Sequence, residues 1–180
     1  MVSGEVGHDI ISNRMLLAVK NEIAKPLSML MLFNRSIQEM VFPDQWKIAH
    51  VIALFKKGDK SLPSNYRPVS LLSCVSKILE KIVYKQIYNH LHINKLLYKF
   101  QSGFLPGYST THQLIELNDD ILLALDKKQI TSITFADISK TFDTVCIKAL
   151  TLKLEKYDIK ENLLFWLKSY LSRRKQLSSY

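Results

Sequence analysis

Phe135-Ala136-Asp137-Ile138-Ser139-Lys140-Thr141-Phe142-Asp143 is the stretch whose reading decides the fold of this chain. The approach to it, from Ile130 through Ile133 to Phe135, is apolar and β-branched. That composition predicts a strand over 130–136 delivering a carboxylate at Asp137. A tight Ser-Lys segment follows, and six residues after the first carboxylate comes a second, Asp143. A strand that ends in Asp beside a turn sets a hard oxygen ligand on a sheet rim, where a divalent cation and a phosphate can meet it. Taken alone, the stretch also reads as a strand-to-helix turn with Asp143 or Ser139 as an N-cap.

The surrounding chain narrows the choice. At 180 residues and 47% apolar content it can build one domain with a real core and is marginal for two. No apolar run approaches a membrane span, and the longest, around Leu27–Phe33, reads as part of a buried helix. Met1-Val2-Ser3-Gly4-Glu5 lacks the basic and apolar regions of a secretory signal. Cys74 and Cys146 have no metal-ligand spacing and read as reduced thiols. Together these features predict an intracellular protein, nuclear or cytoplasmic and not secreted.

The net charge of +9 is unevenly placed. Between Lys47 and Gly107 ten Lys and Arg stand against two acids, whereas from Tyr108 to Glu161 seven basic residues face nine acids. A concentrated basic stripe favours a polyanion such as nucleic acid, although a soluble helix with a lysine-rich outer face would show the same composition.

Residues 13–40 read as helical with an interruption at Pro26, and Pro43-Asp44-Gln45-Trp46 breaks the pattern. Ile48–Phe55 is a β-rich run, Gly58-Asp59 a turn, and 67–72 a second extended piece. Ser73 or Ser76 caps a helix in which Val75, Ile78, Leu79, Ile82, Val83, Ile87 and Leu91 recur at helical spacing, with Lys77, Lys81 and Lys85 on its flank. A loop around 98–110 precedes a helix over 111–127, and two further helices are expected over 146–157 and 161–171. The Ser-rich tail after them reads as an irregular stub.

Lys56 and Arg67 form a second constellation. Two extended runs joined by a Gly/Pro/Ser-bearing loop make a hairpin-like flap, and Pro68 biases Arg67 toward an extended backbone. A guanidinium held there suits bidentate contact with phosphate oxygens. An exposed basic hairpin without a ligand is the plainer reading for Lys57 and Lys60.

Read in order, these segments resemble the reverse transcriptase of non-LTR (LINE-type) retrotransposons. The resemblance rests on 135–143 together with Phe55-Lys56-Lys57-Gly58-Asp59-Lys60, Asn65-Tyr66-Arg67-Pro68-Val69-Ser70-Leu71-Leu72, Gln101-Ser102-Gly103-Phe104 and Ser169-Tyr170-Leu171-Ser172-x-Arg174. It implies an α/β (α+β) fold: part of a right-hand polymerase, with a helical lead-in at 1–42, fingers and template-side helices at 43–128, and the first palm strand and helices at 129–180. It implies an RNA template, a DNA primer, deoxynucleoside triphosphates and Mg²⁺. Asp137, with the main-chain oxygen of Ile138, would be the metal ligand. The backbone of Ser139, Lys140 and Thr141 would lie near the triphosphate, which Arg67 and Lys56 would meet from the fingers. Phe142 would sit under the incoming sugar and exclude a 2′-hydroxyl, although it also reads as a core ring anchoring the turn. Gln101 and Gly103 would lie along the template, Gly103 permitting a close backbone approach, and Lys57 and Lys60 would touch nucleic acid. Trp46 fits the start of the fingers but reads more readily as core than as a contact.

Two departures carry consequences. Ile10 and Met40 stand where the family pattern has glycine, and the β-branched Ile10 is expected to conflict with a backbone of positive φ there. The family's Phe/Tyr-Ala-Asp-Asp box is not found in the sequence, because Phe135-Ala136-Asp137 continues as Ile138-Ser139 and so belongs to the first carboxylate motif. One carboxylate cannot organise two metals, and the isolated chain is therefore expected to be inactive. A non-catalytic nucleic-acid-binding remnant of a decayed element is the alternative reading, and a maturase or telomerase-like relative fits the Asn-Tyr-Arg-Pro and Ser-Tyr-Leu-Ser segments less well.

Overall fold

The computed structural model describes residues 6–25, 32–138 and 141–178. These residues form two compact units, one comprising the chain up to Asn89 together with Cys146 onward, the other His90–Val145.

The first unit is built on one strand. β1 (Ile48–Phe55) pairs antiparallel with β2 (Tyr66–Leu71), Leu54 opposite Arg67 and Phe55 opposite Tyr66. Both strands lie where the β-branched runs put them. β3 (Lys175–Ser178) pairs parallel with the other side of β1, giving the order β2-β1-β3. The irregular tail expected from its serines is therefore a strand. A bare edge of β1 exposes a row of N–H and C=O groups, and a third strand satisfies them whatever its local propensity.

Helices cover this sheet's unit. The helical lead-in resolves into α1 (Asn13–Ala18), α2 (Lys20–Lys25) and α3 (Phe33–Gln38), while the interruption at Pro26 lies outside the described residues. A 3-10 turn at Asp44–Lys47 leads into β1. α4 (Cys74–Ile93) starts as its serine predicts, since the Ser73 hydroxyl accepts the Ser76 N–H at 3.4 Å. It ends where Lys95 turns left-handed, φ +54, and the Leu96 N–H reaches back to the Leu91 carbonyl at 2.9 Å. The inward-facing positions Val75, Leu79 and Val83 join Phe33, Phe42, Trp46, Ile159, Trp166 and Leu167 in the core.

The last two helices of the first unit are α6 (Ile147–Lys156) and α7 (Glu161–Leu171), as expected from spacing. From α7 the segment Ser169-Tyr170-x-x-x-Arg174 closes the core. Phe42 donates its N–H to Ser169 Oγ at 3.0 Å, and Tyr170 stacks on Trp166 with its ring also edge-on to Phe42. Arg174 lies 4.2 Å over the Tyr170 ring and donates from Nε to the Tyr170 carbonyl. The buried Trp166 indole donates to Ser36 Oγ, whose own hydroxyl donates to the Val41 carbonyl. Lys47 is buried as well, its ammonium donating to Asp44 at 2.8 Å and to Ser169 Oγ at 3.5 Å. That contact holds the Asp44 carboxyl below the usual carboxylate range. Trp46 is core, in accord with the plainer of its two readings.

Ile10 and Met40 both adopt left-handed backbone, φ +58 and +57. Glycine would relieve a penalty of about 1–2 kcal/mol at each site but would give back about 0.5–1 kcal/mol in unfolded-chain entropy. Ile10→Gly is therefore expected to stabilise the chain by about 1 kcal/mol, since Ile10 is exposed and buries little. Met40→Gly should gain less, because Met40 is more covered than Ile10. Urea denaturation checks both, and a fall in midpoint for Ile10→Gly would remove the strain argument.

The second unit carries α5 (Thr110–Asp126), capped by Ser109, whose Oγ accepts the His112 N–H. The strand expected over 130–136 is not formed. Residues 129–138 carry no strand pairing, and Ile130 is fully exposed while Phe135 is 86% exposed. An extended segment becomes a strand only when a neighbour takes its backbone hydrogen bonds, and no described residue does so here. Asp137 thus lies in an open loop, and the architecture among the described residues is a mixed one of helices with a small three-stranded sheet.

Candidate polymerase site

The hairpin of the first unit is organised by Asn65 and Tyr66 around the Gly58-Asp59 turn. Asn65 donates from Nδ2 to the Asp59 carbonyl at 2.8 Å, and Tyr66 donates its hydroxyl to the Lys60 carbonyl at 2.9 Å. The Ser61 N–H donates to Asp59 Oδ1 at 2.8 Å and holds that carboxyl below its usual range. Gly58 turns the loop at φ +91, and a Cβ there would stand 2.9 Å from the Asn65 amide. Asn is a turn residue because its side chain hydrogen-bonds nearby backbone, and that was the available signal.

The loop fixes the direction of two cations. Leu54 stands opposite Arg67, and the Lys56 N–H continues the ladder to the Asn65 carbonyl at 2.8 Å. Residues two apart on a strand share a face. Lys56 and Arg67 therefore project from the same face of the hairpin, both exposed, and neither joins an ion pair among the described residues. Lys57 is exposed at the tip, and Lys60 lies 5.7 Å over the Phe55 ring.

In the second unit, the loop at 98–109 and the segment around Asp137 meet. Phe104 and Phe142 are edge-to-face with centroids 6.2 Å apart, and Gly103, Phe104 and Phe135 line one cleft against α5 of about 630 Å³. Phe142 is 78% exposed, so it does not anchor a core. Gln101 turns onto its own loop, donating from Nε2 to the Gly103 carbonyl at 3.2 Å. A Cβ at Gly103 would meet nothing within 4 Å, so the close approach expected there is not made by this chain itself. Phe104 carries the left-handed conformation instead, φ +62.

Asp137 is exposed, and the Ile138 carbonyl beside it accepts the Thr141 hydroxyl at 2.7 Å. Ser139 and Lys140 lie outside the described residues. A carboxylate and a carbonyl are the hard oxygen donors that Mg²⁺ prefers. Among the described residues no group of three His, Cys, Asp or Glu side chains converges.

The sequence profile of reverse transcriptase (RNA-dependent DNA polymerase) matches residues 55–180, and the chain belongs to that family. Its relatives are polymerases of LINE-type, non-LTR elements. It is 33% identical over 170 residues to the probable RNA-directed DNA polymerase from transposon X-element of Drosophila melanogaster, covering 94% of this chain and 18% of that protein. To the RNA-directed DNA polymerase from mobile element jockey of the same organism it is 29% identical over 169 residues, covering 93% and 18%. A Pol polyprotein from the type-1 retrotransposable element R1 of Bradysia coprophila is 36% identical over 106 residues, covering 58% and 10%. The chain thus spans less than a fifth of the length of these relatives. No described helix is long and apolar enough to cross a membrane.

Proposed function

We propose that this chain forms the fingers and first palm segment of an RNA-directed DNA polymerase that extends a DNA primer on an RNA template. The division is 1–42 for the lead-in, 43–128 for the fingers and template-side helices, and 129–180 for the start of the palm. The observation that carries the reading is the family match over 55–180, which spans the hairpin loop, β2 and the Asp137 loop.

In this reading Arg67 and Lys56 draw the triphosphate of a deoxynucleotide to one hairpin face. Charge-assisted contacts of this kind are worth about 1.5–3 kcal/mol each. Asp137 and the Ile138 carbonyl contribute one corner of a Mg²⁺ site, whose chemistry is to lower charge on the reacting phosphate oxygens. The Thr141 backbone meets that phosphate, a contact the resemblance also assigns to Ser139 and Lys140, and the Phe142 ring excludes a 2′-hydroxyl. Gln101 and Gly103 follow the template, and Lys57 and Lys60 add phosphate contacts. With a single carboxylate the isolated chain performs no templated synthesis. A non-catalytic, nucleic-acid-binding remnant is the second reading, favoured by the strained backbone at Ile10 and Met40.

A chimera in which these residues replace the aligned segment of the jockey polymerase tests the assignment by primer extension. Asp137→Asn should reduce the rate on the order of a thousandfold, the equivalent of several kcal/mol of lost charge stabilisation. Arg67→Ala should raise the KM for deoxynucleotides about tenfold. A chimera that extends primers normally with Asp137→Asn would overturn the metal-ligand role. One that fails to extend them although it folds and binds nucleic acid would favour the remnant.

A further inference from the structure

The outer face of α4 is a third feature, separate from the hairpin and the Asp137 loop. Lys77, Lys81, Tyr84, Lys85 and Tyr88 fall within a sector of about 100° at 3.6 residues per turn. All three lysines and Tyr84 are exposed, and none of the lysines joins an ion pair among the described residues. Successive lysines are about 6 Å apart along the helix axis, four residues at 1.5 Å each. Tyr84 and Tyr88 stack beside them with centroids 6.0 Å apart and planes inclined by 23°. The one acid of α4, Glu80, lies outside this sector, half-buried and accepting from Ser76 Oγ at 3.3 Å.

A row of lysines alone would be a solvated helix face. Here the row is interleaved with an aromatic pair, and Tyr84 presents much of its ring to solvent. Cations spaced along a line meet the phosphates of a strand, and an open ring offers a platform to unpaired bases, which duplex bases stacked on one another would not use. We infer that the Lys77–Lys81–Lys85 row and the Tyr84–Tyr88 stack form a binding track for single-stranded nucleic acid. The track works beside the hairpin and does not depend on the roles assigned to Asp137, Lys56 or Arg67. It rests on the polymerase reading only for its choice of a nucleic-acid partner over another polyanion.

The test is fluorescence anisotropy of the full 180-residue chain with a short labelled oligouridylate, over about 50–200 mM salt. Substituting all three lysines by Gln should weaken binding and lower the salt slope by about 2, since each phosphate contact on a single strand contributes about 0.7. Substituting them by Arg should leave the slope unchanged. Tyr84→Leu should weaken binding about tenfold without altering the slope, because stacking is not ionic. Helical content by circular dichroism identifies any variant that fails to fold, and the Arg variant then carries the comparison. An unchanged slope in the folded Gln variant would overturn the track, while loss of binding in a Lys56→Gln/Arg67→Gln variant would leave the hairpin assignment standing. Polyglutamate bound as tightly as the oligonucleotide, with no effect of Tyr84→Leu, would reassign the face to an acidic partner. No binding of the oligonucleotide by the native chain would also overturn the track, without bearing on Asp137 in the chimera.

Discussion

Phe42→Ala is expected to cost about 3–5 kcal/mol, a large part of the 5–15 kcal/mol that holds an ordinary domain together. The ring is fully buried and sits between three others, with centroids 5.8 Å from Trp46, 5.4 Å from Trp166 and 5.0 Å from Tyr170. All three are edge-to-face, the arrangement that aromatic quadrupoles favour over a face-to-face sandwich. The Arg174 guanidinium lies 5.6 Å from the same ring. Removing the Phe42 ring opens a cavity bounded by these three rings, none of which can collapse into the space cheaply. Phe42→Leu keeps most of the volume and should cost much less. Urea denaturation followed by tryptophan fluorescence reads the effect directly, since Trp46 and Trp166 border the cavity. A loss below about 1 kcal/mol would mean that Phe42 is not the centre of this core.

Gly7→Ala should produce the second large loss, for the opposite reason. An added Cβ would stand 2.6 Å from the Ser73 nitrogen, 2.7 Å from the Leu72 carbon and 2.8 Å from the Leu72 oxygen. These are backbone atoms at the end of β2 and the start of α4, so no side chain can swing aside. Overpacking in a well-packed site costs about 1–3 kcal/mol, and the rigidity here favours the upper end. The lead-in can escape only by undocking. Undocking breaks the bond from the Ser73 hydroxyl to Asp9 and the contact between His8 Nδ1 and His50 Nε2 at 3.4 Å. Hydrogen exchange should therefore show 6–11 losing protection before the rest of the first unit. A variant with native protection in that segment and an unchanged urea midpoint would contradict the close approach at Gly7.

Much of this structure was legible one element at a time. α4 could be read from its period and its serine because a helix satisfies its hydrogen bonds within itself. β1 and β2 were legible for a related reason: a turn joins them, so each strand's partner is close in sequence. The left-handed backbone at Ile10 was also foreseeable, because the demand for positive φ belongs to the position and not to the residue that fills it. Once the register was known, alternation along the paired strands put Lys56 and Arg67 on one face.

Elements whose partners lie far away in the chain were not legible. Lys175–Ser178 reads as a polar stub and is a strand only because β1, far earlier in the sequence, has a free edge. The segment over 130–136 has the composition of a strand and is not one among the described residues, because composition supplies no neighbour. Ser169, Tyr170 and Arg174 were visible as a motif, yet their work in closing the core around Phe42 emerged only from packing. Sequence by itself determined the family, the local helices and the hairpin. Tertiary structure alone decided which extended segments became strands and which motif residues support the core, because those outcomes depend on hydrogen bonds and ring contacts made across the chain.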